Sequence, residues 1–494
     1  MTSHDLWLLS PVLSMAGLAV VIVVLDLMFR SRAVLLSLAL LGLLAPLGFA
    51  LALWFNSPAA EVGVFGTVTA DRFALFFQFL LIGTVAVVLL GAGTYLRKFP
   101  GFHGEFIALM LFSVSGMMLL AASRDLVTAY VALELSALPA AVLAAFLRTD
   151  RSLEAGLKFL LLSAISSAVL LYGLVYVYGY TGTTDIAEIL ERVKAITPAA
   201  GQPFGGYGLM FGLVLLVAGF SFKMAVAPFQ MWVPDVYEGA PTPVVAFMSI
   251  ASKSAAFAIV LRVLYTAFGE PDLTTQWSTL FAVLAVLTMT VGNLLALSQR
   301  NIKRMLGYST VAHAGYLLVG LAAVAANAEE PGSIAGPQGV LFYLAAYAFT
   351  NLAVFMAIIA VTNRTGNDLI SGFAGMARRA PLLSVLLAFG LLSLLGLPPT
   401  AGFMAKVFVF SAAVNSDLAW LALAGVINSV VSAYYYLRVI RTMFLDEPET
   451  PERVRADIPI WAATLAASAG VALFGVAPWS LLKFAEKAVI GVVS

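Results

Sequence analysis

Long apolar runs separated by short polar gaps extend along this chain from residue 7 to residue 480. An α-helix needs about 20 apolar residues to cross a hydrocarbon core of about 30 Å. On that rule the pattern predicts 14 helices, over 7–29, 33–55, 73–96, 105–122, 125–147, 156–180, 207–231, 241–266, 275–298, 302–325, 337–362, 381–412, 416–444 and 458–480. The fourth and fifth abut at Ser123-Arg124-Asp125, and the twelfth is long and interrupted. Between the sixth and seventh, the stretch from Thr184 to Ile196 is amphipathic and reads as a short surface helix starting near an Asp185 cap. The Gly-rich segment 326–337 reads as a loop. The expected fold class is an all-α polytopic membrane protein forming one membrane domain over 1–494. Its parts are N-terminal helices in 1–104, five-helix units over 105–266 and 275–444, and a last helix in 458–494.

Composition agrees with that reading. The chain has 494 residues, 62% of them hydrophobic and only 11% charged, more apolar surface than a soluble domain could hide. A net charge of +1, with no Lys/Arg run, gives no ground for nucleic acid binding. Zero cysteines exclude thiolate zinc sites, iron–sulfur ligation and disulfides within the chain. His4, His103 and His313 lie too far apart in sequence to suggest a local metal site, and no Gly-rich phosphate loop follows a strand-like run. The N-terminus lacks the basic region and cleavage site of a signal peptide, so 7–29 reads as a retained first span.

Short loops on one side carry most of the arginine and lysine, among them Arg30, Arg32, Arg97, Lys98, Arg148 and Arg151. Arg300, Lys303, Arg304, Arg364, Arg378 and Arg379 continue the same bias. That side is expected to be cytoplasmic, which places both termini on the outer side of a bacterial plasma membrane.

Against this background, ionisable groups inside apolar runs stand out: Glu134, Lys158, Lys223, Lys253 and Lys406, with His313 among them. A charge near the bilayer centre costs at least about 2.5–3.5 kcal/mol, so such residues are rare and usually functional. One acid, four lysines and a histidine suit the movement of protons better than bond cleavage. The closest pair to propose is Lys223 with Glu134. Burial weakens a lysine's hold on its proton and a nearby carboxylate strengthens it, so displacing the carboxylate would switch Lys223 between holding and releasing. A static ion pair fixing two helices is the alternative. Lys253 shares a face with Ser249, Lys158 is followed by Ser163, Ser166 and Ser167, and Ser309, His313 and Tyr316 form one polar face of the tenth span. A histidine on such a face can donate and accept near neutral pH, although many helical histidines are merely satisfied core groups. Lys406 has no acid in its own helix. Arg262 lies towards a helix end, where it is expected to snorkel, and the run Tyr434-Tyr435-Tyr436 reads as packing.

Prolines interrupt the same helices. Each removes the hydrogen bond to the carbonyl four residues earlier, so Pro139 frees Leu135, Pro228 frees Met224 and Pro399 frees Leu395. A free carbonyl in hydrocarbon needs a partner, which water or a lysine ammonium can supply. Simple kinks for packing are the blander account. The Glu134–Lys223 spacing resembles the His313–Lys406 spacing, each lysine lying near a proline break. The expectation is two inverted five-helix repeats with broken helices 7 and 12, a usual pointer to a transport site.

The stretch from Phe222 to Pro243, FKMAVAPFQMWVPDVYEGAPTP, resembles the proton-translocating antiporter-like subunits of respiratory complex I. So do Leu133-Glu134-Leu135, the run Asn301-Ile302-Lys303-Arg304-Met305-Leu306-Gly307-Tyr308-Ser309, and Gly396-Leu397-Pro398-Pro399-Thr400-Ala401-Gly402-Phe403, in consistent order over roughly residues 70–445. Within that family Val236-Tyr237-Glu238-Gly239 is similar to the subunit N branch, equivalent to mitochondrial subunit 2, and differs from the Ala-His that usually follows Pro-Asp in the others. The resemblance implies that Glu134 tunes Lys223, that Lys158 and Lys253 relay protons, and that His313 connects towards Lys406. It also implies a hetero-oligomer with other complex I membrane subunits in the lipid bilayer. No cofactor is expected in this chain, with NADH, FMN, iron–sulfur clusters and quinone held by partner subunits. A cation/proton antiporter subunit and a non-pumping scaffold subunit of the same complex are the alternatives.

Overall fold

The computed structural model describes residues 2–29, 31–56, 60–98, 101–195, 206–324, 334–448, 453–454 and 456–493. The helices are α1 (Ser10–Phe29), α2 (Arg32–Asn56), α3 (Arg72–Tyr95), α4 (His103–Ala122), α5 (Leu126–Ala144) and α6 (Asp150–Thr181). Then come α7a (Gly206–Met224), α7b (Trp232–Gly239), α8 (Thr242–Ala267), α9 (Pro271–Leu297), α10 (Ile302–Ala322) and α11 (Ala335–Thr365). The chain continues through α12a (Pro381–Leu395), α12b (Ala401–Asn415), α13 (Ala419–Leu445), α14 (Ile458–Val476) and α15 (Trp479–Val493). Among the described residues 13 helices are long and apolar enough to cross a membrane, while α12a and α12b are shorter apolar helices. The amphipathic segment forms a helix over Ile186–Ala195, with Ile196 outside the described residues, as is most of the Gly-rich segment.

Polar caps set where the spans begin. Asp71 accepts from Ala74 N ahead of α3, Asp125 from Val127 N and Thr128 N ahead of α5, and Asn301 from Lys303 N and Arg304 N ahead of α10. With Asp125 as cap, α4 and α5 need only Ser123-Arg124-Asp125 between them. Successive spans alternate in direction, giving a terminal end, where the helix Ser3–Leu8 and α15 lie, and a basic end with the arginine-rich loops. At the terminal end a hairpin of β1 (Glu61–Gly63) and β2 (Val68–Ala70) pairs Glu61 with Ala70, and Asp5 accepts from Val64 N at 2.6 Å.

The centre of the bundle is α8, α10 and α11, each 94% buried over its apolar window against 22% in α1. Helices that are apolar all round belong in such a position. Lipid supplies no hydrophobic drive for association, so close approach matters. At Gly292 of α9 a Cβ would lie 2.5 Å from Ala312 N of α10. Helix α8 is irregular, with π-turns at Met248–Ser252 and Val263–Ala267 on either side of Lys253–Arg262. Such turns are frequent at functional sites.

Both expected breaks are present. The seventh helix ends at Met224, earlier than the apolar run, and resumes at Trp232. Ala225 takes a left-handed φ of 65° there, and Ala227 N donates to Thr288 Oγ1 of α9 at 3.1 Å. The twelfth breaks between Leu395 and Ala401, with Gly396 at φ 89°, a conformation that suits glycine. Helix α15 is a second helix where the hydropathy reading has one last span, because Lys483, Glu486 and Lys487 dilute its apolar signal. It lies across the terminal ends of α3 and α11, where Phe484 packs 5.3 Å from Phe76 and Gln338 Nε2 donates to Leu482 O at 3.2 Å.

Arg262 does not snorkel. It is buried and makes a bidentate pair with Asp71, Nη1 to Oδ2 at 2.7 Å and Nη2 to Oδ1 at 2.9 Å, with Nη2 also donating to Ala121 O at 3.0 Å. The pair ties α8 to the head of α3. Arg262→Met strands the Asp71 carboxylate, and breaking such a pair costs about 3–5 kcal/mol. We expect a lower melting temperature and yield for purified Arg262→Met, partly restored by adding Asp71→Asn.

Candidate functional site

The six residues singled out from the sequence sort into two depths. Glu134 and His313 lie near the middles of α5 and α10, Lys253 in the middle of α8, and Lys223 and Lys406 beside the breaks of the seventh and twelfth helices. Lys158 is elsewhere, about two turns from the start of α6 at the basic end. Its side chain is 42% exposed and pairs with Glu154 at 2.7 Å and Asp235 at 2.8 Å. Position along an apolar run overstated its burial, because α6 is 32 residues long and exceeds the hydrocarbon thickness.

Around Lys158 a charged network closes the basic end. Arg304 Nη1 donates to Asp235 Oδ1 at 2.7 Å and to Glu238 Oε2 at 2.9 Å, joining α7b to α10. A polar cavity of about 180 Å³ lies here, lined by Arg151, Glu154, Asp235, Glu238 and Arg304. It opens next to the only carrier candidate that is not at mid-depth.

Deeper in, α6 supplies the hydroxyls. Lys223 Nζ donates to Ser163 Oγ at 2.6 Å, and Ser167 Oγ donates to Glu134 Oε1. Ser163 and Ser167 are one turn apart, so α6 holds the ammonium and the carboxylate as neighbours. Among the described residues no ion pair joins Lys223 to Glu134; the two charges meet through serines rather than directly. The Met224 carbonyl has no part in this arrangement, since Lys223 uses Ser163, while Trp232 Nε1 donates to Phe222 O at 3.0 Å. Pro139 sits inside a continuous α5, beside which Ser113 Oγ donates to Ser136 O at 2.7 Å.

Lys253 begins a second group. Its Nζ donates to Thr310 O at 2.6 Å and lies 4.9 Å from the centre of the Tyr347 ring, while Tyr347 OH and Thr310 Oγ1 are bonded at 2.9 Å. His313 joins Tyr343 OH through Nδ1 at 2.6 Å and Tyr436 OH through Nε2 at 3.2 Å; Ser309 Oγ is 2.5 Å from the same Tyr436 OH. The His313 and Tyr316 ring centres are 5.5 Å apart, and Lys406 Nζ lies 4.5 Å over Tyr316. Lys406 donates to Leu395 O at 2.8 Å and Ser429 Oγ at 3.1 Å. The carbonyl that Pro399 frees is thus taken by the lysine, as the break predicts. Among the described residues no hydrogen bond links the Lys223 group directly to Lys253.

Tyrosines are what the sequence reading missed. Tyr435 and Tyr436 are buried in the polar axis, and only Tyr434 of that run is exposed, at 62%. Asn293 connects Tyr435 OH, at 2.9 Å, with Tyr316 OH, at 3.1 Å. A signal was available: Tyr343, Tyr347 and Asn351 repeat at i, i+4 and i+8 on α11, the same kind of polar face noted on the tenth span. Asn351 Nδ2 in turn donates to Ser249 Oγ at 3.1 Å. Among the described residues no group of three or more His, Cys, Asp or Glu side chains converges to hold a metal ion.

Buried titratable groups, strung through hydroxyls across helices broken at mid-depth, define an antiporter-like polytopic membrane protein. Residues 123–432 match the family described as NADH:quinone oxidoreductase/Mrp antiporter, TM. The chain is 42% identical over 472 residues to NADH-quinone oxidoreductase subunit N of Dehalococcoides mccartyi, covering 95% of this chain and 96% of that one. It is similar to a chain in the structure of respiratory complex I from Thermus thermophilus with bound aureothin, with TM-score 0.77 and 32% identity over 96% of this chain and 98% of that one. A chain of the Mrp complex from Dietzia sp. DQ12-45-1b shares the fold alone, with TM-score 0.84 at 20% identity, over 100% of this chain and 98% of that one. The chain belongs to this family of oxidoreductase and antiporter membrane subunits, and its similarity runs to the subunit N branch.

The α12 break allows no room at Gly402, where a Cβ would lie 1.9 Å from Ser393 O, whereas at Gly48 it would meet nothing within 4 Å. Overpacking of this kind costs about 1–3 kcal/mol. Gly402→Ala is expected to lower the thermal stability of the purified protein and Gly48→Ala to leave it unchanged.

Proposed function

We propose that this chain carries protons across the membrane as a subunit of NADH:quinone oxidoreductase, with Glu134, Lys158, Lys223, Lys253, His313 and Lys406 as its carrier and tuning groups. The observation that carries this reading is the cluster of Lys253, Thr310, Tyr347, His313, Tyr436, Tyr316 and Lys406, in which titratable groups lie among hydroxyl-bearing side chains at mid-depth. Similarity to subunit N along nearly the whole chain supports membership of the complex.

In this reading the cavity at the basic end loads Lys158, whose proton moves along α6 to Ser163 and Lys223. Glu134, held by Ser167, tunes Lys223 by approach and withdrawal, because a nearby carboxylate favours the ammonium. Lys253, which donates to the Thr310 backbone carbonyl and lies over the Tyr347 ring, hands on towards His313, which accepts on one ring nitrogen and donates from the other. Lys406, on the carbonyl of Leu395, is the far station. The two five-helix units act as inverted repeats, each with its own break, and the basic end faces the cytoplasm of a bacterial plasma membrane with the termini outside. NADH, FMN, iron–sulfur clusters and quinone belong to partner subunits, from which the driving signal arrives as movement or charge.

Lys223→Ala tests the reading in inverted membrane vesicles, with pumping normalised to assembled complex and electron flux. Loss of pumping per electron with the complex intact is expected; unchanged pumping would leave Lys223 as a structural charge in a scaffold. Tyrosine hydroxyls are tested separately. Tyr436→Phe removes a partner of both His313 and Ser309, about 0.5–1.5 kcal/mol for each bond, and is expected to slow pumping severalfold. Tyr434→Phe, on the exposed ring, is expected to pump like the parent.

A further inference from the structure

A crevice of about 350 Å³ lies on the side of the bundle away from the polar axis, beneath α15. Its walls are Phe76, Gly83 and Val87 of α3, Ala345 and Leu352 of α11, and Phe484 of α15. The lining is almost wholly apolar, and Gly83 is exposed at its mouth. From Phe76 to Val87 the crevice runs about 16 Å along α3 at 1.5 Å per residue. That is about the half-thickness of a hydrocarbon core of about 30 Å, one leaflet. The crevice therefore starts under the terminal-end surface and stops near mid-membrane.

Its upper rim is aromatic and cationic. The Trp54 ring lies 4.8 Å from Phe484 and 5.8 Å from Phe79, and the Arg72 guanidinium sits 5.6 Å over Trp54. Arg72 Nε is buried without a hydrogen-bond partner among the described residues, and Arg72 makes no ion pair there. Helix α15 buries Leu481, Ala485 and Ala488 against the bundle and exposes Lys483 and Lys487 on its outer face. An interfacial helix with an apolar underside and lysines above is suited to anionic lipid, and the Trp54 belt marks the headgroup level.

We propose that this crevice binds an anionic phospholipid of the terminal-end leaflet, one acyl chain filling the slot between α3 and α11 and the phosphate lying between Arg72 and the basic face of α15. The length of the slot selects an acyl chain over a spanning helix, which would need the full membrane thickness. The cationic rim selects a headgroup with net negative charge. The site stands on the fold alone and does not depend on the proton path.

The test uses the assembled complex and a phosphatidylglycerol probe with a diazirine on its acyl chain, adducts being mapped by mass spectrometry. Adducts are expected on the α3 and α11 segments that line the slot, and phosphatidylcholine carrying the same diazirine is expected to label them far less. At Gly83 a Cβ meets nothing within 4 Å, so Gly83→Phe fills the slot and is expected to cut labelling there roughly tenfold or more, with assembly retained. Arg72→Gln combined with Lys483→Gln is expected to bring phosphatidylglycerol labelling down to the phosphatidylcholine level. Equal labelling of the parent complex by both probes, unchanged labelling of assembled Gly83→Phe, or no adducts on the α3 and α11 segments of the parent complex would each overturn the assignment.

Discussion

In hydrocarbon there is no solvent to satisfy a charge or a backbone carbonyl, so each must find its partner inside the protein. The buried centre of this molecule follows from that constraint. Lys223 needs Ser163, Lys253 needs the Thr310 carbonyl, and Lys406 needs the carbonyl that the α12 break exposes. Each requirement fixes the contact between two helical segments, and together they determine which faces of α6, α7a, α8, α10 and α12b point inward. A break that would be an energetic defect in an isolated helix becomes the acceptor for a charge that would otherwise be stranded.

The protein answers the constraint in two ways, and the difference separates structure from transport. Arg262 is paired with a full counter-charge: a planar guanidinium, always charged, holds both oxygens of Asp71 and a carbonyl besides. Nothing in that arrangement can gain or lose a proton easily. The mid-depth lysines Lys223, Lys253 and Lys406 are held by one or two neutral acceptors each, and Glu134 by a serine, whereas Lys158 at the basic end pairs with two carboxylates. A lysine on a hydroxyl or a carbonyl has no counter-charge locking its ionised state, so a small displacement of a distant carboxylate changes its balance. Arginine therefore pins α8 to α3, while the mid-depth lysines are left with neutral partners.

Much of this was legible in the sequence. The span boundaries follow from apolar runs bounded by Asp71, Asp125 and Asn301, because hydrocarbon thickness and capping act locally. Lys223, Lys253, His313 and Lys406 stood out because a charge in an apolar run is rare. Three things depended on tertiary placement instead. Tyrosine is common both at membrane interfaces and in cores, so Tyr436 carried no signal until α13 was set against α10, and the i, i+4 spacing of Tyr343 and Tyr347 marked a polar face without saying what it faces. The fate of Arg262 turned on Asp71, far away in sequence. Lys158 looked buried because an apolar run does not reveal how far a long helix stands out of the membrane.

Helix α11 brings the two halves of this picture together. One face carries Tyr343 and Tyr347, which hold His313 and Thr310 in the polar axis. Another carries Ala345, Ala348 and Leu352, which wall the crevice. Interiors packed at crystal-like density transmit displacement rather than absorbing it, and beside the small alanines this face of α11 is braced by Leu352 and by Phe349, whose ring lies 5.3 Å from Phe474 of α14. Whatever fills the slot therefore backs the helix that positions the hydroxyls of the relay.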